Sequence, residues 1–247
     1  MADIYVYGAI GDGWDAADMT AHRFAYLMQQ ADGEDVTIHI NSGGGDVFDA
    51  SAMAEVIRSY KGRVTASIEG LAASAASFFA LTADEVVMNP SALLMVHNPW
   101  AFCQGESADM RKTADMLDKV RDAIVSQYVR KTGIDEDTIC AYMDEETWFD
   151  AKHALEAGFV DSLTDAAPIA ACVSKDALAR YRNKPEGLAA ASVEPPTTSD
   201  AAATGDGGNT IDPTDGREPK GEAPKGAAGS AARVECVNGR FIRFKEQ

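Results

Sequence analysis

Apolar positions along the first 165 residues follow two alternating rhythms. Short β-prone runs at residues 4–7, 36–40, 63–68, 85–88 and 92–96 either alternate with polar residues or stay continuously apolar, and they predict strands. Between them, apolar residues spaced three and four apart predict helices over 16–30, 47–60 and 73–81, the first carrying Phe24, Leu27 and Met28 on one stripe. A longer helix is predicted over 107–131, closed by Gly133, with Met110, Ala114, Leu117, Val120, Ile124 and Tyr128 in line. A shorter helix, the pair Trp148-Phe149, a helix over 151–157 closed by Gly158 and a strand at 159–160 complete the pattern. This rhythm predicts an α/β fold of mostly parallel strands joined by crossover helices.

The pattern stops near residue 186. Residues 189–232 contain no aromatic side chain, Val193 and Ile211 are their only large aliphatics, and five of the nine prolines fall there. Such a stretch cannot bury enough apolar surface to offset its ordering entropy. Residues 186–232 are therefore expected to be a disordered acidic linker, with a partner-wrapping tail as the functional alternative. Residues 233–247 differ again: β-prone runs at 234–237 and 240–244 flank Asn238-Gly239, a strong two-residue hairpin signal. A lone hairpin is marginal in water, so this basic tip is expected either to dock on something or to fray. The expected organisation is a folded body at 1–185, the linker at 186–232 and the tip at 233–247.

Charge follows the same partition. The 22 basic and 39 acidic residues give −17 overall, of which the body holds −14, the linker −5 and the tip +2. Long-range repulsion by phosphate excludes nucleic acid and anionic membranes as partners of the body. Cys103, Cys140, Cys172 and Cys236 form no CxxC pair and are read as reduced thiols, with no metal or other cofactor implied. The N-terminus lacks a basic start followed by a long apolar run, and no apolar stretch reaches the length of a membrane span, so a cytoplasmic protein is expected.

Parallel α/β folds place their chemistry at the C-terminal ends of strands. The strand at 36–40 runs into Asn41-Ser42-Gly43-Gly44-Gly45-Asp46, where three glycines allow a tight turn that aims N–H groups outward. No Gly-Lys-Ser/Thr follows, so this is not a Walker loop, and Gly8, Gly11 and Gly13 are too loosely spaced for a dinucleotide fingerprint. The strand at 63–68 leads into Gly70-Leu71-Ala72-Ala73-Ser74-Ala75. A serine opening a helix among small neighbours suits an exposed nucleophile, and it also suits an ordinary N-cap. Of four histidines, His22 and His153 lie among polar helix positions and His39 alternates within a strand. Only His97 ends an apolar strand, followed by Asn98-Pro99, which is the place for a general base. A third, orienting carboxylate falls among Asp144, Glu145 and Glu146.

These residues resemble the Clp protease proteolytic subunit family of serine peptidases. The resemblance spans roughly residues 4–163, through INSGGGDV, GLAASAAS, LMVHNP and EETWFDAKHALEAGFVDSL. It implies a ClpP/crotonase-like fold of repeated β-β-α turns, Ser74 as nucleophile, His97 as base, and the N–H groups of Gly45 and Ala75 as an oxyanion hole. An ungapped alignment puts Glu146 where the family carries aspartate, and its extra methylene calls for a shifted backbone if it is to reach His97. Gly43 replaces the family's usual proline. The resemblance also implies polypeptide substrates and a homo-oligomeric ring, possibly stacked, with the helix over 107–131 as the handle between rings. The first strand begins at once, without an axial loop, so an unfoldase ATPase partner is not implied. The low-complexity tail and Thr147-Trp148-Phe149 are more similar to phage members that process capsid or scaffold proteins during head maturation. A crotonase-type acyl-CoA enzyme and a non-catalytic assembly module are the rival readings. A membrane signal-peptide peptidase would want a lysine base and an anchor.

Overall fold

The computed structural model describes residues 1–11, 17–165 and 180–185, together with the backbone of 234–237 and 240–243. The chain divides into two compact units, residues 1–196 and 197–247. The first contains β1 (Ala2–Val6), α1 (Ala21–Gln30), β2 (Val36–Ser42), α2 (Val47–Ser59), β3 (Val64–Ala73), α3 (Ala75–Ala80), β4 (Glu85–Met88) and β5 (Leu93–Val96). These are followed by α4 (Ser107–Thr132), α5 (Glu136–Asp144), β6 (Thr147–Asp150), α6 (Ala151–Glu156) and β7 (Ser162–Leu163). In the second unit β8 (Val234–Val237) and β9 (Arg240–Arg243) pair antiparallel across Asn238-Gly239. The expectation of a linker over 186–232 lies outside the described residues.

The architecture is α/β with a mostly parallel sheet, ordered β1-β2-β3-β4-β7, as the alternating rhythm required. Strict alternation of buried and half-buried residues along β2 points Val36, Ile38 and Ile40 to the helical side, where they meet Phe24 and Met28 of α1 and Met53 of α2. β3 is the pivotal strand because it serves two neighbours. Thr65–Ile68 pairs in parallel with β4, and Leu71–Ala73 pairs in parallel with β5. β5 in turn pairs antiparallel with β6. The sheet forks at this point, and the fork carries the candidate chemistry.

Several boundaries differ from the sequence expectation. α1 starts at Ala21 rather than 16, because the Thr20 hydroxyl caps it by accepting from Arg23 N. β3 runs to Ala73 instead of ending at 68, since Leu71, Ala72 and Ala73 find ladder partners in β5, and α3 is correspondingly shorter than the expected 73–81. The strand expected at 159–160 is a turn: Phe159 N donates to Ala154 O at the end of α6, and the strand forms two residues later. On α4 only the C-terminal part of the apolar stripe is core, with Ile124, Val125 and Tyr128 buried, while Met110 and Met116 stand exposed. Among the described residues no helix is long and apolar enough to cross a membrane.

The glycine turn after β2 is held by two backbone bonds to the segment after β1, Ile10 N to Gly44 O and Asp46 N to Ile10 O. Gly44 has φ +79°, and a Cβ there would sit 2.5 Å from Ala73 O and 2.9 Å from Ser74 Cβ. Gly133, at the end of α4, has a similar φ of +71° but open space around it. Gly44→Ala is therefore expected to destabilise the fold by about 2 kcal/mol or more, combining backbone strain with a clash, whereas Gly133→Ala should cost only about 1 kcal/mol. Denaturant unfolding of the two variants checks this; equal losses would show that the close approach at Gly44 does not matter.

Candidate active site

Three chain segments converge at the fork. β3 ends at Ala73, and Ser74 N donates to Met95 O at 3.0 Å, extending the β3–β5 ladder by one residue. That register brings Ser74 beside the end of β5, and His97 is the first residue beyond it. The two lie 23 positions apart in the chain, yet Ser74 Oγ and His97 Nε2 are 2.7 Å apart. When the hydroxyl donates to Nε2, the neutral ring keeps its proton on Nδ1.

Ser74 occupies the N-cap position of α3, but its side chain makes no cap hydrogen bond, because the hydroxyl is turned to His97. Its backbone has φ 58° and ψ −124°, left-handed for a residue with a Cβ, a conformation that costs on the order of 1–3 kcal/mol and has to be held by its surroundings. Ser77, fully buried one turn below, does much of that holding. Its hydroxyl lies 2.7 Å from Ser74 O and 2.9 Å from Met95 O, and it meets the hydroxyl of Tyr128 from α4 at 2.9 Å. The N-cap reading of Ser74 thus gives way to one in which a strained turn presents its hydroxyl to a histidine.

The glycine turn abuts this elbow. Besides Ala73 O and Ser74 Cβ, a side chain on Gly44 would collide with Ala75 N at 2.9 Å. Neither Gly45 N–H nor Ala75 N–H donates to an acceptor among the described residues. Backbone donors left without acceptors among the described residues, at a glycine turn that abuts the serine elbow, have the makings of an anion cradle.

The antiparallel register of β5 with β6 distinguishes the three candidate acids. Val96 faces Thr147, so the next step of the ladder sets His97 against Glu146. Glu146 is 4% exposed. It is one of three non-glycine residues with positive φ among the described residues, at 52°. Asp144 instead points outward and accepts from Asn98 Nδ2 at 2.7 Å and Arg121 Nη2 at 3.2 Å. Those hydrogen bonds, the Asn98 one foremost, hold its pKa below the usual carboxylate value. Glu145 is exposed, with its carbonyl accepting from Asn183 Nδ2.

The expected contact between Glu146 and His97 is not a hydrogen bond. The Glu146 carboxylate accepts from Asn183 N at 2.7 Å and Arg182 N at 3.0 Å, with Trp148 Nε1 at 3.4 Å. It acts on the imidazole through its field. Burial lowers the His97 pKa below its ordinary value, the negative charge of Glu146 opposes this, and the guanidinium of Arg182 adds to the lowering.

Sequence reasoning missed the segment at 180–185. Tyr181 is almost fully buried, its ring set edge to face with His97 at 5.6 Å and with Trp148 at 5.5 Å, and its hydroxyl donates to Gly43 O. One signal was present: Tyr181 is the only aromatic residue between Phe159 and Phe241. Of the other histidines, His22 is exposed and His153 bonds Asp150 at the surface. His39 is half-buried, bridging Glu69 at 2.7 Å and Asp3 at 3.1 Å beneath the ring of Tyr5.

With this geometry in hand, comparison with known proteins is informative. The sequence model of the Clp protease family matches residues 2–167. Over 167 residues, 66% of this chain and 80% of the relative, the chain is 29% identical to ATP-dependent Clp protease proteolytic subunit 1 of Protochlamydia amoebophila. The matched stretch takes in every element from β1 through β7, together with Ser74, His97, Glu146, Gly45 and Ala75. The chain belongs to the Clp protease family and is a serine-type endopeptidase of α/β fold.

Proposed function

We propose that this endopeptidase works through Ser74 as nucleophile, His97 as general base and Glu146 as the acid whose negative field supports the imidazole, with the N–H groups of Gly45 and Ala75 as the oxyanion hole. The observation that carries the reading is the 2.7 Å contact between Ser74 Oγ and His97 Nε2 at a serine held in left-handed backbone. Ser74 Oγ attacks the peptide carbonyl carbon while its proton passes to His97 Nε2. The two backbone donors receive the carbonyl oxygen as it gains charge. Collapse of the tetrahedral species breaks the C–N bond, and the amine leaves with the proton from His97. Water then repeats the sequence on the acyl-serine, giving the carboxylic acid and free Ser74. Throughout, the negative field of Glu146 favours the imidazolium that forms.

As to biological role, we propose that the substrates are capsid or scaffold polypeptides of a phage-type head, cut without ATP by a homo-oligomeric ring. The acidic, core-poor stretch at 186–232 and the basic tip beyond it support this reading, as accessory parts that a general degradative subunit does not need. The exposed Met110 and Met116 on α4 support a ring contact. A second reading, a housekeeping subunit working with an unfoldase, is favoured by the name of the relative, which is ATP-dependent. Incubating the full chain with an unstructured polypeptide and with a phage scaffold protein, with and without ATP, separates the two.

Three outcomes test the mechanism. A fluorophosphonate is expected to label wild type at Ser74, and Ser74→Ala should abolish labelling and lower kcat/KM by about 10⁴-fold or more; cleavage that survives the substitution would end the serine mechanism. Glu146→Gln should lower kcat by about 10²-fold or more, while Glu145→Gln stays within about threefold, as judged by steady-state peptide hydrolysis. Because the base acts when neutral and its pKa is lowered by burial, activity should rise with pH through a limb below the ordinary imidazole value of about 6.5. Arg182→Gln removes a cation that disfavours imidazolium, so the limb should move to higher pH, and less so in high salt. A limb that moves to lower pH contradicts this account of the site's electrostatics.

A further inference from the structure

Residues 180–185 lie outside the stretch that matches the family, which ends at 167, yet they touch three separate parts of the site. The Tyr181 hydroxyl reaches Gly43 O, beside the glycine turn. The Tyr181 ring packs on His97 and on Trp148 and joins Leu71, Ala73 and Met95 in a small apolar cluster behind the base. The N–H groups of Arg182 and Asn183 bind both oxygens of Glu146, and the Asn183 side chain bonds the carbonyl of Glu145. Ser74 remains partly exposed, so the segment backs the base without covering the nucleophile.

We propose that residues 180–185 form a strap that positions the catalytic groups, in which Tyr181 is a positioning residue for the His97 ring and the Arg182 and Asn183 N–H groups hold the Glu146 carboxylate. This rests on the peptidase reading given above.

The physical need for such a strap comes from Glu146. A glutamate where an aspartate would serve carries one more rotatable bond, and at 4% exposure its carboxylate has almost no water to satisfy it. Two backbone donors, charge-assisted and fixed in space, supply both the compensation and the orientation. A buried carboxylate stripped of such partners would be costly and free to swing. His97 has a parallel need. An imidazole at a strand end has no helix to hold its ring, and an edge-to-face aromatic contact restricts it. Small misplacements of such groups carry large rate penalties, so the strap acts on turnover as well as on stability.

The groups facing His97 are the hydroxyl of Ser74, the carboxylate of Glu146, the guanidinium of Arg182 and the ring of Tyr181. Loss of the Tyr181 ring admits water to the imidazole and relieves the burial that lowers its pKa. The test uses the full chain, with thermal unfolding alongside kinetics. Tyr181→Ala is expected to lower kcat about tenfold or more with a smaller change in KM, while Tyr181→Phe, which keeps the ring, stays within about threefold. Asn183→Pro should fall further than Asn183→Ala, because only the proline removes the N–H. Lys152→Ala, on the exposed face of α6 and outside the strap, should match wild type. NMR titration of the His97 imidazole should move upward in Tyr181→Ala and stay put in Tyr181→Phe.

A strap that only stabilises the fold would lower the melting temperature while leaving kcat and the His97 titration of the folded protein unchanged, and that result would overturn the proposal. Equal effects of the two Asn183 variants would overturn the role of the N–H donor. If wild type is not labelled at Ser74, the peptidase mechanism has failed on its own. The NMR arm still decides whether Tyr181 governs His97.

Discussion

The site hangs on a single ladder register. The bond from Ser74 N to Met95 O continues the pairing of β3 with β5, and everything chemical is placed relative to it. One step along β5 stands His97. One strand further, the antiparallel pairing of Val96 with Thr147 sets Glu146 opposite His97. A strand that slips by one residue turns every side chain to the other face. Such a slip would separate the serine from the histidine and bury the wrong acid. The register is in turn pinned by apolar burial, since Leu94 and Val96 of β5 are wholly inside the core.

Strain and its support are distributed around this register. Ser74 and Glu146 both adopt left-handed backbone that a side chain disfavours. At Ser74 the support comes from below, through Ser77 and the buried Tyr128 of α4, so that helix also braces the proposed nucleophile. At Glu146 it comes from the 180–185 segment, whose backbone donors occupy the carboxylate. The arrangement leaves His97 less basic than free imidazole because it is buried, while the field of the neighbouring carboxylate limits that loss. An imidazole so placed is suited to the general-base role proposed for it, and the same carboxylate favours its charged form.

Where the chemistry comes from contiguous residues, it was legible in the sequence. The triple glycine after β2, the small residues around Ser74 and the strand end at His97 are visible locally, because a tight turn, a helix start and a strand end have local requirements; their chemical roles followed from the family resemblance, since alone Ser74 suits an N-cap equally. The choice among Asp144, Glu145 and Glu146 was not legible. Three adjacent acids look alike along a chain; they differ only in which one the β5–β6 ladder turns inward and which the Asn98 and Arg121 side chains draw out. The extension of β3 was hidden for a related reason. Leu71, Ala72 and Ala73 have weak intrinsic preference for a strand, and they become one because β5 offers them a ladder. The apolar stripe of α4 suited a handle between rings as well as core packing, and among its residues Ile124, Val125 and Tyr128 are buried while Met110 and Met116 are exposed.

By itself the sequence determined the α/β class, the order of elements, the nucleophile and base candidates and the end of the well-patterned chain, since each depends on local periodicity, turn chemistry or composition. Only the tertiary structure decided which carboxylate faces the base, that this carboxylate bonds backbone donors and not the imidazole, and that Tyr181 returns to pack against the site. These are contacts between residues 33 to 138 positions apart. They exist because strands pair and buried charge seeks donors, and neither demand leaves a mark on the residues nearby in the chain.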